Sequence, residues 1–388
     1  MLRWVRYLLM GVCLGAVIVL LWPPWGLEYQ PTDVPAGSEA ADPCLGITVD
    51  DGAWTVESRV VGPLMDAPTA MAFLFVHYDP RDKIAPWCPA RGSDAYRFFY
   101  EAYGSVDMLS AIAFSASYSE GGRPHFIVVT QTAPVFDSCH ACTVVLGAAV
   151  FAQADGVWRL KHFNPAITHA GSYGHAPEDM ALEKIGPDLH GVAVTERYMG
   201  QGQTVWSYLL LGPVGDRWEE ILPPTNIGDA YQGNCDPQTG DALDPVFQKC
   251  YAYSSVIRFI PGAHPTYFDI EVHTAGTDSR PDNIIMPFER SAVYGFNGCR
   301  YAEGLAVRRS EDHPYCIQVA AFENYRSARA LADRLRAAQL PSYCDYFTPA
   351  IGRSLFRVRI GDYRTREEPK RMLPGLKQMG YAGMVKKR

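Results

Sequence analysis

The clearest alternation of apolar and polar positions lies in residues 313–388, where it reads strand, helix, strand, strand, helix, strand. Residues 315–322 alternate as a half-buried strand does. Asn324 is placed to cap a helix that gathers Ala328, Leu331, Ala332, Leu335 and Ala338 on one face. Residues 342–348 and 355–361 supply two more strands. Thr365 and Glu368 have the spacing of a capping box for a second helix, Gly380 ends that helix, and residues 381–387 close the unit. Pro374 falls inside the second helix and predicts a kink, because proline removes a hydrogen bond there. The expected sheet is a split βαβ arrangement with the first and third strands as central neighbours. On that topology Ile317, Val319, Ala321, Val358 and Ile360 point beneath the helices. Cys316, Gln318, Ala320, Arg357 and Arg359 point outward.

Residues 44–301 show a different rhythm, short alternating runs broken by turns. Residues 146–153 and 157–163 flank Ala154, Asp155 and Gly156, a strong hairpin signal. Residues 191–198 and 204–211 flank Gly200, Gln201 and Gly202, and a further turn falls at Gly215 and Asp216. These runs predict a mainly-β domain, either a sandwich or an irregular pair of sheets. Trp158, Trp206 and Trp218 each fall early in a return strand, but their spacing is not constant, which disfavours a propeller. Residues 93–103 place Tyr96, Phe99, Tyr100 and Tyr103 at helical spacing, an aromatic stripe suited to core packing.

The N-terminus carries Arg3 and Arg6, then an apolar run over residues 7–22 that stops at Pro23 and Pro24. No small-x-small cleavage site follows closely, so residues 1–25 read as a signal-anchor helix rather than a removed signal. Trp4, Trp22 and Trp25 are placed for the two membrane interfaces. Arginines ahead of the span keep the N-terminus cytoplasmic and export the rest. Val12 before Cys13 does not suit a lipoprotein site. The organisation expected is thus multidomain: anchor 1–25, linker 26–43, β-rich domain 44–301, linker 302–312 and α+β unit 313–388.

Charge sharpens this division. The chain has a formal charge of −7, yet residues 313–388 hold fifteen Lys and Arg against six Asp and Glu, leaving twenty against thirty-six elsewhere. A basic module on an acidic body points to an anionic partner. The export signal argues against nucleic acid as that partner.

The C-terminal unit resembles a sporulation-related repeat (SPOR) domain. The resemblance rests on Ile317-Gln-Val-Ala-Ala-Phe322, on the Ala- and Leu-rich helix, on Phe356-Arg-Val-Arg-Ile-Gly361 and on Leu376-Lys-Gln-Met-Gly-Tyr381, in the family's order. Ala320 and Ala321 depart from the family's Gly-Ser, and Ala321 removes a hydroxyl that could serve a ligand. The resemblance implies a periplasmic module for peptidoglycan glycan strands poor in stem peptides, which are enriched at division septa. Glycan is then expected on the open sheet face, at Gln318, Arg357 and Arg359, with Tyr315 or Phe356 stacking on a sugar ring. Bidentate Arg contacts suit the lactyl carboxylates of muramic sugars.

Export also permits disulfides among ten cysteines. Cys235 and Cys250 bracket a polar loop and form the favoured pair, Cys44 with Cys88 is possible, and Cys316 with Cys344 is excluded because their strands are not neighbours. Cys139-His-Ala-Cys142 has redox spacing, but a strand follows it instead of the helix that would stabilise a thiolate, so a structural disulfide is preferred over metal binding or redox catalysis. His140, His162, His169, His175 and His190 show no ligand spacing. The loop 234–241 lacks the alternating oxygens of a calcium site. No nucleophile elbow, Ser-x-x-Lys, Walker loop or dinucleotide fingerprint is present, and no cofactor is implied. The leading expectation is an inner-membrane-anchored, periplasmic peptidoglycan binder. Its alternatives are a wall-remodelling enzyme with a catalytic β domain, or a thiol or metal protein using Cys139 and Cys142.

Overall fold

The computed structural model describes residues 48–49, 60–75, 77–89, 93–104, 107–134, 139–231, 235, 250–262, 264–279, 285–304, 313–349 and 353–387. The expected anchor, the linker 26–43, Cys44, nearly all of the loop 234–241 and most of the linker 302–312 lie outside these residues. Among the described residues no helix is long and apolar enough to cross a membrane.

Most of the body is two antiparallel meanders. The first sheet contains β1 (Thr48–Val49), β2 (Val60–Gly62), β3 (Ile84–Pro89), β4 (Met108–Glu120), β5 (Arg123–Pro134), β6 (Val144–Ala154) and β7 (Val157–Ala170). Its order is β1-β3-β4-β5-β6-β7-β2. The second contains β8 (Asp179–Lys184), β9 (His190–Gly200), β10 (Gln203–Val214), β11 (Arg217–Tyr231), β12 (Tyr251–Ile260), β13 (Asp269–Ser279), β14 (Ile285–Phe296) and β15 (Tyr301–Glu303), each strand paired with its neighbour in sequence. Tight turns make this possible. Asp155 and Gly156 both hold positive φ, of 54° and 72°, matching the twist of the strands they join. The two-sheet expectation therefore holds, and long continuous meanders replace the blades of a propeller.

The long apolar runs of β5 and β6 are explained by burial on both faces. Val128, Val145 and Phe151 pack with α1 (Ala67–Leu74) and α2 (Asp94–Tyr103), alongside Trp87 and Phe99. Ile127, Val129, Leu146 and Val150 pack instead on Val192, Val194, Leu209 and Leu211 of the second sheet. The aromatic stripe of α2 is only partly core. Phe99 is fully buried, whereas Tyr96 and Tyr100 stack on each other and Tyr100 is exposed.

The C-terminal unit has β16 (Tyr315–Phe322), α3 (Tyr325–Ala337), β17 (Ser342–Phe347), β18 (Leu355–Tyr363), α4 (Glu367–Gln378) and β19 (Met384–Lys387), with sheet order β17-β18-β16-β19. The first and third strands are the central neighbours, as the split βαβ topology requires. Asn324 caps α3 by accepting from the Ser327 amide. α4 begins one residue later than the capping-box reading, with Arg366 as its cap residue, and it runs unbroken through Pro374. Glu368 instead reaches back to the Arg364 amide and the Thr365 hydroxyl.

This unit is bolted to the body. Cys344 of β17 is bonded to Cys299 in the β14–β15 turn, and the Cys344 amide donates to the Asn297 carbonyl at 2.8 Å. Gly298, at φ +90°, leaves no room for a Cβ, which would fall 1.9 Å from the Cys344 carbonyl oxygen. The Tyr325 hydroxyl donates to the Cys299 carbonyl at 3.0 Å, Arg300 pairs with Asp333 at 2.8 Å, and Arg329 pairs with Glu220 at 2.8 Å. Arg326 donates to the Ala166 carbonyl and lies over the Phe98 ring. A small part of the charge asymmetry seen in the sequence is therefore spent within the molecule, where Arg329 of the basic unit meets Glu220 of the acidic body.

Glu219 lies at the same junction. Burial, partly offset by Arg217, Arg326 and Arg329, pushes its carboxyl up from 4.5 to about 7. The folded chain holds a proton there that the unfolded chain has already released. Stability linked to this group is fully present below about pH 4.5 and is lost as the pH rises to about 7, a change of roughly 3 kcal/mol. Glu219→Gln should flatten the fall in urea midpoint between pH 5 and pH 8. An unaltered fall would assign that pH dependence to other groups.

Candidate functional site

The sheet face opposite α3 and α4 is built from a few rows of facing residues. Register places Met384, Gln318, Arg359 and Tyr343 across from one another in one row, and Ala321, Arg357 and Asp345 in the next. Gln318, Arg357 and Arg359 thus share one surface. Strand alternation alone places Gln318 and the two arginines here, but not Ala321. A register shift between Gln318 and Ala320 turns Ala320 inward, opposite buried Val358, and leaves Ala321 outward, opposite Arg357. This reverses the sequence expectation for both alanines, because a bulge moves every later residue to the other face. Cys316, expected outward, is fully buried.

The two arginines are not equivalent. Both pair with the same carboxylate oxygen of Asp345, Arg357 at 2.6 Å and Arg359 at 3.0 Å. Side-chain exposure is 22 % for Arg357 and 7 % for Arg359. The Arg357 guanidinium also lies 4.0 Å above the exposed Phe347 ring. Two cations on one anion leave a net positive patch, with Arg357 as its reachable member and an aromatic ring beneath it. Asp345 and Phe347 were missed by reading the sequence, although alternation along β17 puts both on the outward face.

The stacking candidates separate. Phe356 is 1 % exposed and packs edge-on against Tyr325 beneath the helices, so it is a core residue and not a platform for sugar. Tyr315, half-buried, faces Tyr363 and Lys387 at the far end of β16. Arg359→Ala should lower the melting temperature, since it leaves Asp345 without its buried partner. Arg357→Ala should stay within a few degrees, as surface changes do. Equal losses for both would show that Arg357 is also structural.

Cysteine chemistry resolves into disulfides. Cys139 is bonded to Cys142, and Cys235 to Cys250. Cys88 is also disulfide-bonded. The Cys139–Cys142 turn leads into β6, without a helix, as read from the sequence. The Cys299–Cys344 bond was not foreseen, because it joins two units that read as separate. The singled-out histidines are dispersed: His140 lies between Tyr173 and Tyr198, His169 stacks on Phe98, His175 sits in a turn with Ser172, and His162 and His190 lie elsewhere near His125. Among the described residues no group of three or more His, Cys, Asp or Glu is arranged for a metal ion.

Residues 312–387 match the family model of the SPOR domain. No curated protein and no solved structure matches the chain. The C-terminal unit is therefore a SPOR domain, a peptidoglycan-binding module, and the chain carries a cell-wall-binding part. No family accounts for the two-sheet body that holds it.

Proposed function

We propose that this is a cell-envelope protein, anchored in a bacterial inner membrane through residues 1–25, whose periplasmic bulk grips peptidoglycan glycan strands poor in stem peptides during wall or division-related processes. The SPOR match supports the peptidoglycan-binding part of this reading, and the apolar run of residues 7–22 behind Arg3 and Arg6 supports the anchor. The open sheet face supports its detail. Arg357 offers charge to a lactyl carboxylate, Gln318 offers a donor and an acceptor to hydroxyl or acetamide groups, and Phe347 offers an apolar ring to a sugar. Tyr315 extends the same strand.

The test is co-sedimentation of the full chain with amidase-treated sacculi. Wild type should pellet with them and the Arg357→Ala/Gln318→Ala double variant should remain largely in the supernatant, with melting temperatures close together. Undiminished pelleting by the double variant would remove this face as the site.

A further inference from the structure

At one end of the two large sheets, the β4–β5, β8–β9 and β10–β11 turns surround a cleft whose far wall is the end of β17. It has two adjoining compartments of about 590 and 350 Å³ that share Glu120, Lys161 and Leu189. Such volumes suit sites for small ligands or short polymer segments. Arg123 borders the larger compartment, and Tyr118 with the SPOR residues Tyr346 and Thr348 borders the smaller. The cleft therefore belongs to neither unit alone.

Its polar groups are set in defined states. His162 donates from Nδ1 to the Asp216 carbonyl at 2.6 Å, and His125 donates from Nδ1 to the Arg123 carbonyl at 3.0 Å. Each ring is thereby held with Nε2 as an acceptor. Burial pushes His162 down to about 4, so it stays neutral at ordinary pH. Glu120, whose carboxyl burial raises, lies within electrostatic reach of Lys161, His190 and Asp188. Yet Glu120, Lys161 and Arg123 form no ion pair among the described residues. Cations, a carboxyl group and neutral imidazoles thus line one space without satisfying one another.

We propose that this cleft is a second saccharide site, taking a carboxylate-bearing hexosamine oligosaccharide that continues from the SPOR sheet. The inference rests on the glycan-binding reading above and adds a site to it. Sugar hydroxyl and acetamide groups need donors and acceptors side by side, which Lys161, Glu120 and the imidazole Nε2 atoms supply. The rims of Tyr118, which packs between His125 and His190, and of Tyr346, which packs against Phe356, supply apolar edge, and carboxylates find Arg123 and Lys161. Continuity comes from β17, the edge strand of the SPOR sheet. Its successive residues Tyr346 and Phe347 point to opposite sides, the first to the cleft and the second to the open face, so one strand of polymer can pass around that edge.

The experiment measures binding of the full chain to fluorescent peptide-free glycan, long strands and a tetrasaccharide in parallel, for wild type, Lys161→Glu and Thr348→Arg. Both changes fall on exposed residues, so either can stand if the other misfolds. Each should weaken long-strand binding by roughly ten-fold or more, the avidity lost when one of two linked contacts is removed. Arg357→Ala should weaken both probes. Long-strand affinity unchanged in Lys161→Glu and Thr348→Arg overturns the cleft while the SPOR reading stands. Wild-type binding to released wall peptides, with none to glycan, overturns both.

Discussion

Replacing Cys299 and Cys344 together with alanine should lower the melting temperature by roughly 5 °C. The bond joins residues 45 apart in sequence. Closing a loop of that size stabilises by about 4 kcal/mol, chiefly by restricting the unfolded chain. The double replacement leaves no new thiol to exchange, so Cys316 stays the free cysteine among the described residues. Calorimetry of wild type in reductant should show at least this fall, because Cys139–Cys142 and Cys235–Cys250 open as well. An unmoved transition would mean that the non-covalent contacts alone hold the SPOR domain to the body.

Tyr325→Ala should cost about 3–5 kcal/mol, the range for emptying a large aromatic site. Tyr325 is 1 % exposed, packs against Phe356 and sends its hydroxyl across the junction to Cys299. Tyr325→Phe keeps the ring and removes only the hydrogen bond, for about 1 kcal/mol. Because the residue serves the SPOR core and the junction at once, denaturant unfolding followed by tryptophan fluorescence should shift too, although the SPOR domain contains no tryptophan. A shift seen only by probes within residues 313–387 would show that the two units unfold separately.

Local pattern carried much of this architecture. The βαββαβ order, the Asn324 cap and the hairpin at Asp155 follow from periodicity and turn chemistry, which act over a few residues. What escaped depends on longer reach. The bulge at Val319 leaves no mark on composition yet exchanges the faces of Ala320 and Ala321. Phe356 reads equally well as ligand platform or core until the helices are placed above it. Cys299 pairs with Cys344 only because the β14–β15 turn meets β17, a contact between elements that are distant in sequence. Within the candidate site, Gln318 and the two arginines were legible. The burial of Arg359 and the shared Asp345 were not, since both depend on cross-strand register.

The Cys299–Cys344 bond also decides where a pull would travel. If glycan sits on β16 and β18 as proposed, tension on it would reach β17 through hydrogen bonds across the sheet, and from Cys344 it would enter the body through a covalent link. The connecting chain after β15 need not bear that load. On the proposed reading, a strand seated on this sheet would also set the heading of the two large sheets behind it.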